Sequence, residues 1–253
     1  MEGFILAAGL GTRLRPLTDD RPKALVEISE KRTMVSGEWR EEKVTLLELA
    51  IRRLEEAGVE HIVVNVHHFA EKVIDFIGSR RWQATVDISD ERSLLLDTGG
   101  GLRHAAPLFS GRDNVLVHNV DILSDLDLRA VERHHREAGN LATLCVSDRD
   151  TRRKLRFDAQ GMLLGRDSLT PQPSPLSGEG KVLAFSGISV VSPALFALLP
   201  VADHPYPIID QYVSLSAQGH RIGSFCHPAD RWLDVGKPET LEIAKQWNRS
   251  SSK

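Results

Sequence analysis

The residues with the clearest chemical potential come first in the chain: Leu6-Ala7-Ala8-Gly9-Leu10-Gly11-Thr12-Arg13-Leu14-Arg15-Pro16-Leu17-Thr18, then Arg21-Pro22-Lys23-Ala24-Leu25. This set suits a triphosphate. Ala7, Ala8 and Gly9 are small enough for the backbone to approach a nucleotide without side chains intervening. Gly11 permits a tight turn whose N–H groups can face phosphate oxygens. Arg13 offers a planar fork of donors for the β and γ phosphates. Lys23 adds a point charge, its approach set by Pro22. The string is neither G-x-x-x-x-G-K-[ST] nor G-x-G-x-x-G, because the lysine comes late and position 14 is Leu. G-x-G alone fits an ordinary turn between strand and helix; the longer string is the informative unit.

Such groups need a scaffold, and the hydrophobic pattern supplies one. Residues 3–8 read as a buried strand ending at Gly9. Apolar residues recur at helical spacing over 46–57 and stop at Gly58. Further strands are predicted at 61–66, 85–88, 114–120 and 141–146, with helices at 69–77 and 128–138. This β-α-β-α-β alternation predicts an α/β fold, a Rossmann-like, mostly parallel sheet flanked by helices. Ligands bind such sheets at the carboxyl ends of the strands. That edge would hold both the 9–23 loop and Asp121, which follows the strand NVLVHNV.

The second half is less regular. It predicts a hairpin at 155–166, a Pro- and Ser-rich loop at 169–180 and strands at 182–191 and 221–226. Helices are expected at 193–199, at 208–217 and from Pro238 to about Trp247, with a turn at 232–236 and a polar tail from 248. We expect a single domain over 1–253, with a nucleotide-binding core at 1–150 and a sugar-binding part plus C-terminal helix at 151–247.

L-A-A-G-x-G-T-R-L-x-P-L-T followed by R-P-K-A-L is similar to the signature of the sugar-phosphate nucleotidyltransferases. The resemblance continues in Leu96-Asp97-Thr98-Gly99-Gly100-Gly101-Leu102, Asn119-Val120-Asp121, Phe185-Ser186-Gly187-Ile188 and Trp232-Leu233-Asp234-Val235-Gly236-Lys237-Pro238-Glu239, in family order. The L-D-T-G-G-G block most resembles the N-acetylmuramate-1-phosphate and mannose-1-phosphate members.

The resemblance implies the nucleotide-diphospho-sugar transferase fold with a small C-terminal elaboration. It implies catalytic roles for Arg13, Lys23 and Asp121, and Mg²⁺ held by Asp121 and Asp234. It further implies a nucleotide site of Leu6, Ala7, Ala8, Gly9, Gly11, Thr12, Arg13, Lys23, Thr98, Gly99 and Gly100, and a sugar site at Asn119, Ser186 and Gly187. The glycine run would then be a backbone cradle for base or ribose; a flexible strand-to-helix connection is the plainer alternative. The expected partners are an NTP, with UTP favoured, and a sugar 1-phosphate of N-acetylmuramate or hexose type; a homo-oligomer is expected from the family alone. The attacking group is an already ionised phosphate oxygen, so no protein base is required.

Two features depart from the family pattern. Val120 stands where many members have Gly before the metal aspartate, which bears on the space beside the sugar. Residues 30–43 form a longer, charged connection, either a tolerated surface insertion or a hairpin over the nucleotide site or an oligomer contact.

Other motifs fit plainer roles. Asp125-Leu126-Asp127 precedes a helical pattern, which suits helix capping better than a metal D-x-D. His67-His68 and His134-His135 are adjacent, so their side chains diverge and neither pair makes a metal site. Arg152-Arg153-Lys154 reads as a solvated turn. Cys145 and Cys226 lie in apolar, strand-like contexts and read as buried reduced thiols. A net charge of −3 with mixed signs supplies no basic field, so nucleic acid is not an expected partner. No apolar run is long enough to span a membrane. The opening residues do not resemble a signal peptide, so a cytoplasmic location is expected. The rival functions are an NDP-sugar-dependent glycosyltransferase, which would show no pyrophosphate exchange, and a non-catalytic nucleotide- or sugar-sensing subunit.

Overall fold

In the computed structural model, residues 1–33, 39–167 and 180–244 are described, with backbone alone between 29 and 42. In chain order the elements are β1 (Glu2–Leu6), β2 (Glu27–Thr33), β3 (Trp39–Thr45), α1 (Leu46–Glu56), β4 (His61–Val66), α2 (Ala70–Gly78), β5 (Thr85–Asp90), α3 (Asp97–Ala105), β6 (Val115–Asn119), β7 (Ile122–Ser124), α4 (Leu128–Ala138) and β8 (Ala142–Ser147). Then follow β9 (Lys154–Phe157), β10 (Leu163–Arg166), β11 (Lys181–Val191), α5 (Ala194–Leu198), α6 (Ile208–Ala217), β12 (Ile222–Cys226), β13 (Trp232–Asp234) and α7 (Pro238–Ala244).

The central strands β6, β1, β4 and β5 lie side by side and run parallel, as the β-α-β alternation predicts. Beyond β6 the sheet continues through β11, which runs antiparallel to β6, β8 and β9; β12 then pairs parallel with β8. Alternation along the strands feeds two cores. Ile5, Val64 and Leu116 pack with α1, α2, α4 and α7 on one face. Phe4, Val63 and Val117 pack with α3, α5 and α6 on the other.

Local chemistry sets the helix ends. Thr45 caps α1 by accepting a hydrogen bond from Glu48 N at 3.1 Å. Asp127 caps α4 by accepting from Arg129 N and Ala130 N at 3.0 and 3.1 Å, the role expected of that carboxylate. Asp125 instead pairs with Arg231.

Three expectations need correction. Residues 232–236 do not form a plain turn: Trp232–Asp234 makes a short ladder with Ile122–Ser124, Asp234 opposite Ile122. The glycine run is not a flexible connection: it forms the first turns of α3, and all three glycines are buried. The long connection after Ile28 needs no such correction: β2 and β3 pair antiparallel, which both a surface insertion and a hairpin accommodate. Cys145 is buried but Cys226 is exposed, because it ends an edge strand. The Pro-rich 169–180 loop, save Gly180, and the chain beyond Ala244 lie outside the described residues.

Candidate active site

The strand register places the candidate residues at one edge. Leu6, the last residue of β1, lies opposite Asn65 on β4 and Asn119 on β6. The chain leaves β6 through Val120, whose N–H donates to Leu6 O at 3.2 Å, and reaches Asp121. A cavity of about 400 Å³ opens at this carboxyl edge, within the range of small-molecule sites. Leu6, Ala7, Ala8, Gly9, Lys23, Thr98, Asn119, Val120 and Asp121 line it.

The glycine loop is built for this edge. Gly11 has φ 64°, the left-handed region that glycine enters without penalty. A side chain there would press on Lys23 Cβ and Thr18 Cγ2, each 3.0 Å from its Cβ position. Thr18 Oγ1 donates to Gly11 O at 2.9 Å, and Leu14 buries its side chain, so the loop is anchored while Thr12 and Arg13 stay exposed. Nothing stands within 4 Å of a Cβ at Gly9, which leaves the loop open on the cavity side.

Lys23 follows Pro22 into a tight turn, and its ammonium forms an ion pair with Asp121. Asp234 arrives from the far end of the chain. The ladder of β7 and β13, together with Val235 N donating to Asp121 O at 2.8 Å, holds the two aspartates together. Burial, then the charge of Asp121, pushes the Asp234 carboxyl above the usual carboxylate range, against the pull of Lys23 and Arg13. Its Oδ1 is buried with no hydrogen-bond partner among the described residues. A Cβ at Gly236 would sit 2.5 Å from Asp234 Oδ1 and 2.6 Å from Arg13 Nη2, so a residue without a side chain is what lets both groups close in.

Such an arrangement fits a hard divalent cation. Two carboxylates meet at one point, one with an orphaned oxygen, and substrate phosphates can complete an oxygen shell. Among the described residues no group of three or more His, Cys, Asp or Glu gathers as an all-protein metal cage. One histidine of each adjacent pair has partners of its own. His135 is buried between Thr143 Oγ1 and Ser192 Oγ, at 2.9 and 3.0 Å, and burial lowers its pKa to about 4. His67 Nδ1 lies 2.7 Å from Glu91 O.

Other expected residues are placed differently from the simple cradle. Gly99 and Gly100 donate their N–H groups to Tyr206 O at 2.9 and 3.3 Å, and a Cβ at Gly99 would stand 2.6 Å from the Tyr206 ring. The glycines therefore admit the 204–206 segment, which brings Pro205 to the cavity wall. Thr98 lines the cavity, and its Oγ1 accepts from Ile208 N at 2.9 Å. Ser186 is fully buried, with Oγ 2.7 Å from His227 Nε2. Gly187, at φ 74°, lies where the β11 register shifts, and a Cβ there would meet Asn119 Nδ2 at 2.9 Å.

Two residues that motif reading passed over organise the cavity floor. Asn65 Oδ1 accepts from Ala7 N at 2.6 Å and Ala8 N at 3.1 Å, while its Nδ2 donates to Glu91 Oε1 at 2.7 Å. Glu91 Oε2 accepts from Leu96 N at 3.1 Å; burial raises the pKa of this carboxyl despite those bonds. The N–H groups of Ala7 and Ala8 are thus already engaged. Asp97 also lines the cavity, in a left-handed conformation at φ 59°, with Oδ1 accepting from its neighbour Thr98 N at 2.6 Å. Its departure from the usual backbone region is a signal that only coordinates carry.

Comparison with known proteins bears on the family and the fold. Residues 2–157 match the family model described as nucleotidyl transferase. The chain is 34% identical over 248 residues to an N-acetylmuramate alpha-1-phosphate uridylyltransferase of Caulobacter vibrioides, covering 96% of this chain and 94% of that one. It is 27% identical to a mannose-1-phosphate guanyltransferase of Debaryomyces hansenii, over 94% of this chain and 62% of that protein. In fold it matches a putative glucose-1-phosphate thymidylyltransferase from Bacillus anthracis with TM-score 0.76 at 17% identity, covering 100% and 97% of the two chains. The chain belongs to the nucleotidyl transferase family and is one of its sugar-phosphate nucleotidyltransferases.

Proposed function

We propose that this enzyme transfers UMP from UTP to a sugar 1-phosphate of N-acetylmuramate or hexose type, giving a UDP-sugar and pyrophosphate. The observation that carries the reading is the junction of Lys23, Asp121, Asp234 and Arg13 beside the cavity at the strand edge. A triphosphate over 9–13 would meet Arg13 and Lys23, and the acceptor would enter near Asn119 and Gly187. Uridine is favoured by the more similar of the two relatives, which also aligns over nearly its whole length.

In the reaction, an ionised phosphate oxygen of the acceptor forms the new bond to the α-phosphorus. The bond from that phosphorus to the bridging oxygen breaks, and pyrophosphate leaves with its electron pair. Asp121 and Asp234 would hold Mg²⁺, which supplies Lewis-acid neutralisation of the phosphate oxygens. Lys23 moves between its carboxylate partner and the triphosphate, and Arg13 steadies the leaving charge. Leu6, Ala7, Ala8, Gly9, Gly11 and Thr98 shape the nucleotide side. Gly99 and Gly100 act through Tyr206.

Pyrophosphate release from a panel of NTPs against a panel of sugar 1-phosphates, with Mg²⁺ and with EDTA, tests the reading. Release requiring UTP, one sugar phosphate and the metal is expected. Preference for GTP would overturn the base assignment. Intact nucleotide binding without release for any pair would favour a sensing subunit.

A further inference from the structure

Arg149 lies in the turn after β8, outside every motif of the family pattern, yet it packs against two of them, at Phe185 and Trp232. Its guanidinium lies 3.4 Å over the centre of the Trp232 ring, on the strand that carries Asp234. Its Nη2 donates to Phe185 O at 2.7 Å, and Trp232 Nε1 donates to the next carbonyl, Ser186 O, also at 2.7 Å. The head group is therefore clamped between the Phe185–Ser186 backbone and the Trp232 face. Its Nη1 is buried and has no hydrogen-bond partner among the described residues.

The neighbourhood makes this orphan informative. Asp234 is near enough to act on Arg149 electrostatically, and its own Oδ1 is also buried and unpartnered among the described residues. No ion pair joins the two among the described residues, and each keeps an unused polar atom. A carboxylate oxygen suits a cation and a guanidinium N–H suits an anion, which matches a metal-bound phosphate ester between them. The clamp also fixes the fork before any ligand arrives, so little side-chain freedom remains to be lost on binding.

We infer that Arg149 is a receptor for an anionic group of the acceptor sugar phosphate, and so a binding and specificity-determining residue for this enzyme. The inference rests on the acceptor reading proposed above. Two anionic groups share this chemistry: the reacting phosphate, common to every acceptor, and the carboxylate that an N-acetylmuramate-type sugar carries and an N-acetylglucosamine-type sugar lacks.

The experiment measures steady-state kinetics of wild type, Arg149→Gln and Arg149→Lys with N-acetylmuramate 1-phosphate and N-acetylglucosamine 1-phosphate. Calorimetric binding of the same sugars, with Mg²⁺ and a non-hydrolysable UTP analogue present, runs alongside. Loss of a charged hydrogen bond predicts an acceptor KM and Kd raised about 10- to 100-fold in Arg149→Gln, with the KM for UTP unchanged and Arg149→Lys intermediate. An equal rise for both sugars assigns the phosphate; a rise for the muramate sugar alone assigns the carboxylate. Unchanged acceptor KM and Kd in Arg149→Gln would overturn the inference. So would a parallel rise in the KM for UTP with a lowered melting temperature, which would mark Arg149 as a prop for Trp232 and Phe185 only. If wild type binds both sugars without turnover, the reaction proposed above fails while the binding arm still decides the role of Arg149. If wild type binds neither, both readings fall.

Discussion

Replacing Asn65 should reveal how the cavity floor is held. The side chain is 1% exposed and satisfies three partners at once: Ala7 N, Ala8 N and Glu91 Oε1. Asn65→Ala strands all three. Ala7 and Ala8 border the cavity, where water can reach them, so each contributes near the low end of the roughly 1–3 kcal/mol of an orphaned buried group. Glu91 keeps only Leu96 N and loses a bond to a charged acceptor, about 1.5–3 kcal/mol if the carboxyl is ionised. The total is about 3–5 kcal/mol, a large part of the 5–15 kcal/mol that typically holds a domain folded.

Asn65→Asp separates the two halves of this network. It keeps acceptors for Ala7 and Ala8 but sets a second carboxyl against Glu91, at a contact now 2.7 Å long. Like charges so close cannot both ionise, so one folded-state pKa rises above its unfolded value. Stability from such a group is present below the unfolded pKa and lost as pH rises through the folded one. Asn65→Asp should therefore be clearly weaker than wild type in urea unfolding at pH 7.5, and the gap should narrow toward pH 5. Equal stability of wild type and Asn65→Ala would refute the network. A pH-independent gap for Asn65→Asp would refute the electrostatic account of it.

Three further outcomes are expected. Asp121→Ala should remove Mg²⁺-dependent pyrophosphate release while circular dichroism stays native; activity within tenfold of wild type would sink the metal assignment. Gly236→Ala places a methyl within 2.6 Å of both Asp234 Oδ1 and Arg13 Nη2 and should lower kcat about 100-fold with little change in melting temperature; wild-type kcat would mean that this close approach is not needed. His135, held near 4 against a usual 6.5, favours the folded state above pH 6.5, and that contribution fades as pH falls toward 4. At pH 5 the loss should be about 2 kcal/mol, and His135→Asn should flatten this part of the stability profile; an unchanged slope would point to other groups.

Much of the scaffold was legible because strand and helix periodicities are local. The strand 61–66 and the helices 128–138 and 208–217 coincide with β4, α4 and α6. The glycine-arginine-lysine loop and the two aspartates could be singled out because their motifs are long and ordered along the chain. The β7–β13 ladder was hidden, since three-residue strands carry no periodic signal, and only that ladder explains how Asp121 and Asp234 meet. Glycine's poor helix propensity concealed that 99–101 begins α3; contact with Tyr206 and Glu91 overrides that propensity.

The amino-acid order by itself determined which residues could handle a triphosphate and on which edge of the sheet they would stand. Tertiary structure decided which of those groups are free to act. Ala7 and Ala8 N–H belong to Asn65, Gly99 and Gly100 N–H belong to Tyr206 O, and Arg149 comes to stand over Trp232. Each pairing joins segments distant in sequence, and a buried polar group takes whichever partner packing brings within reach.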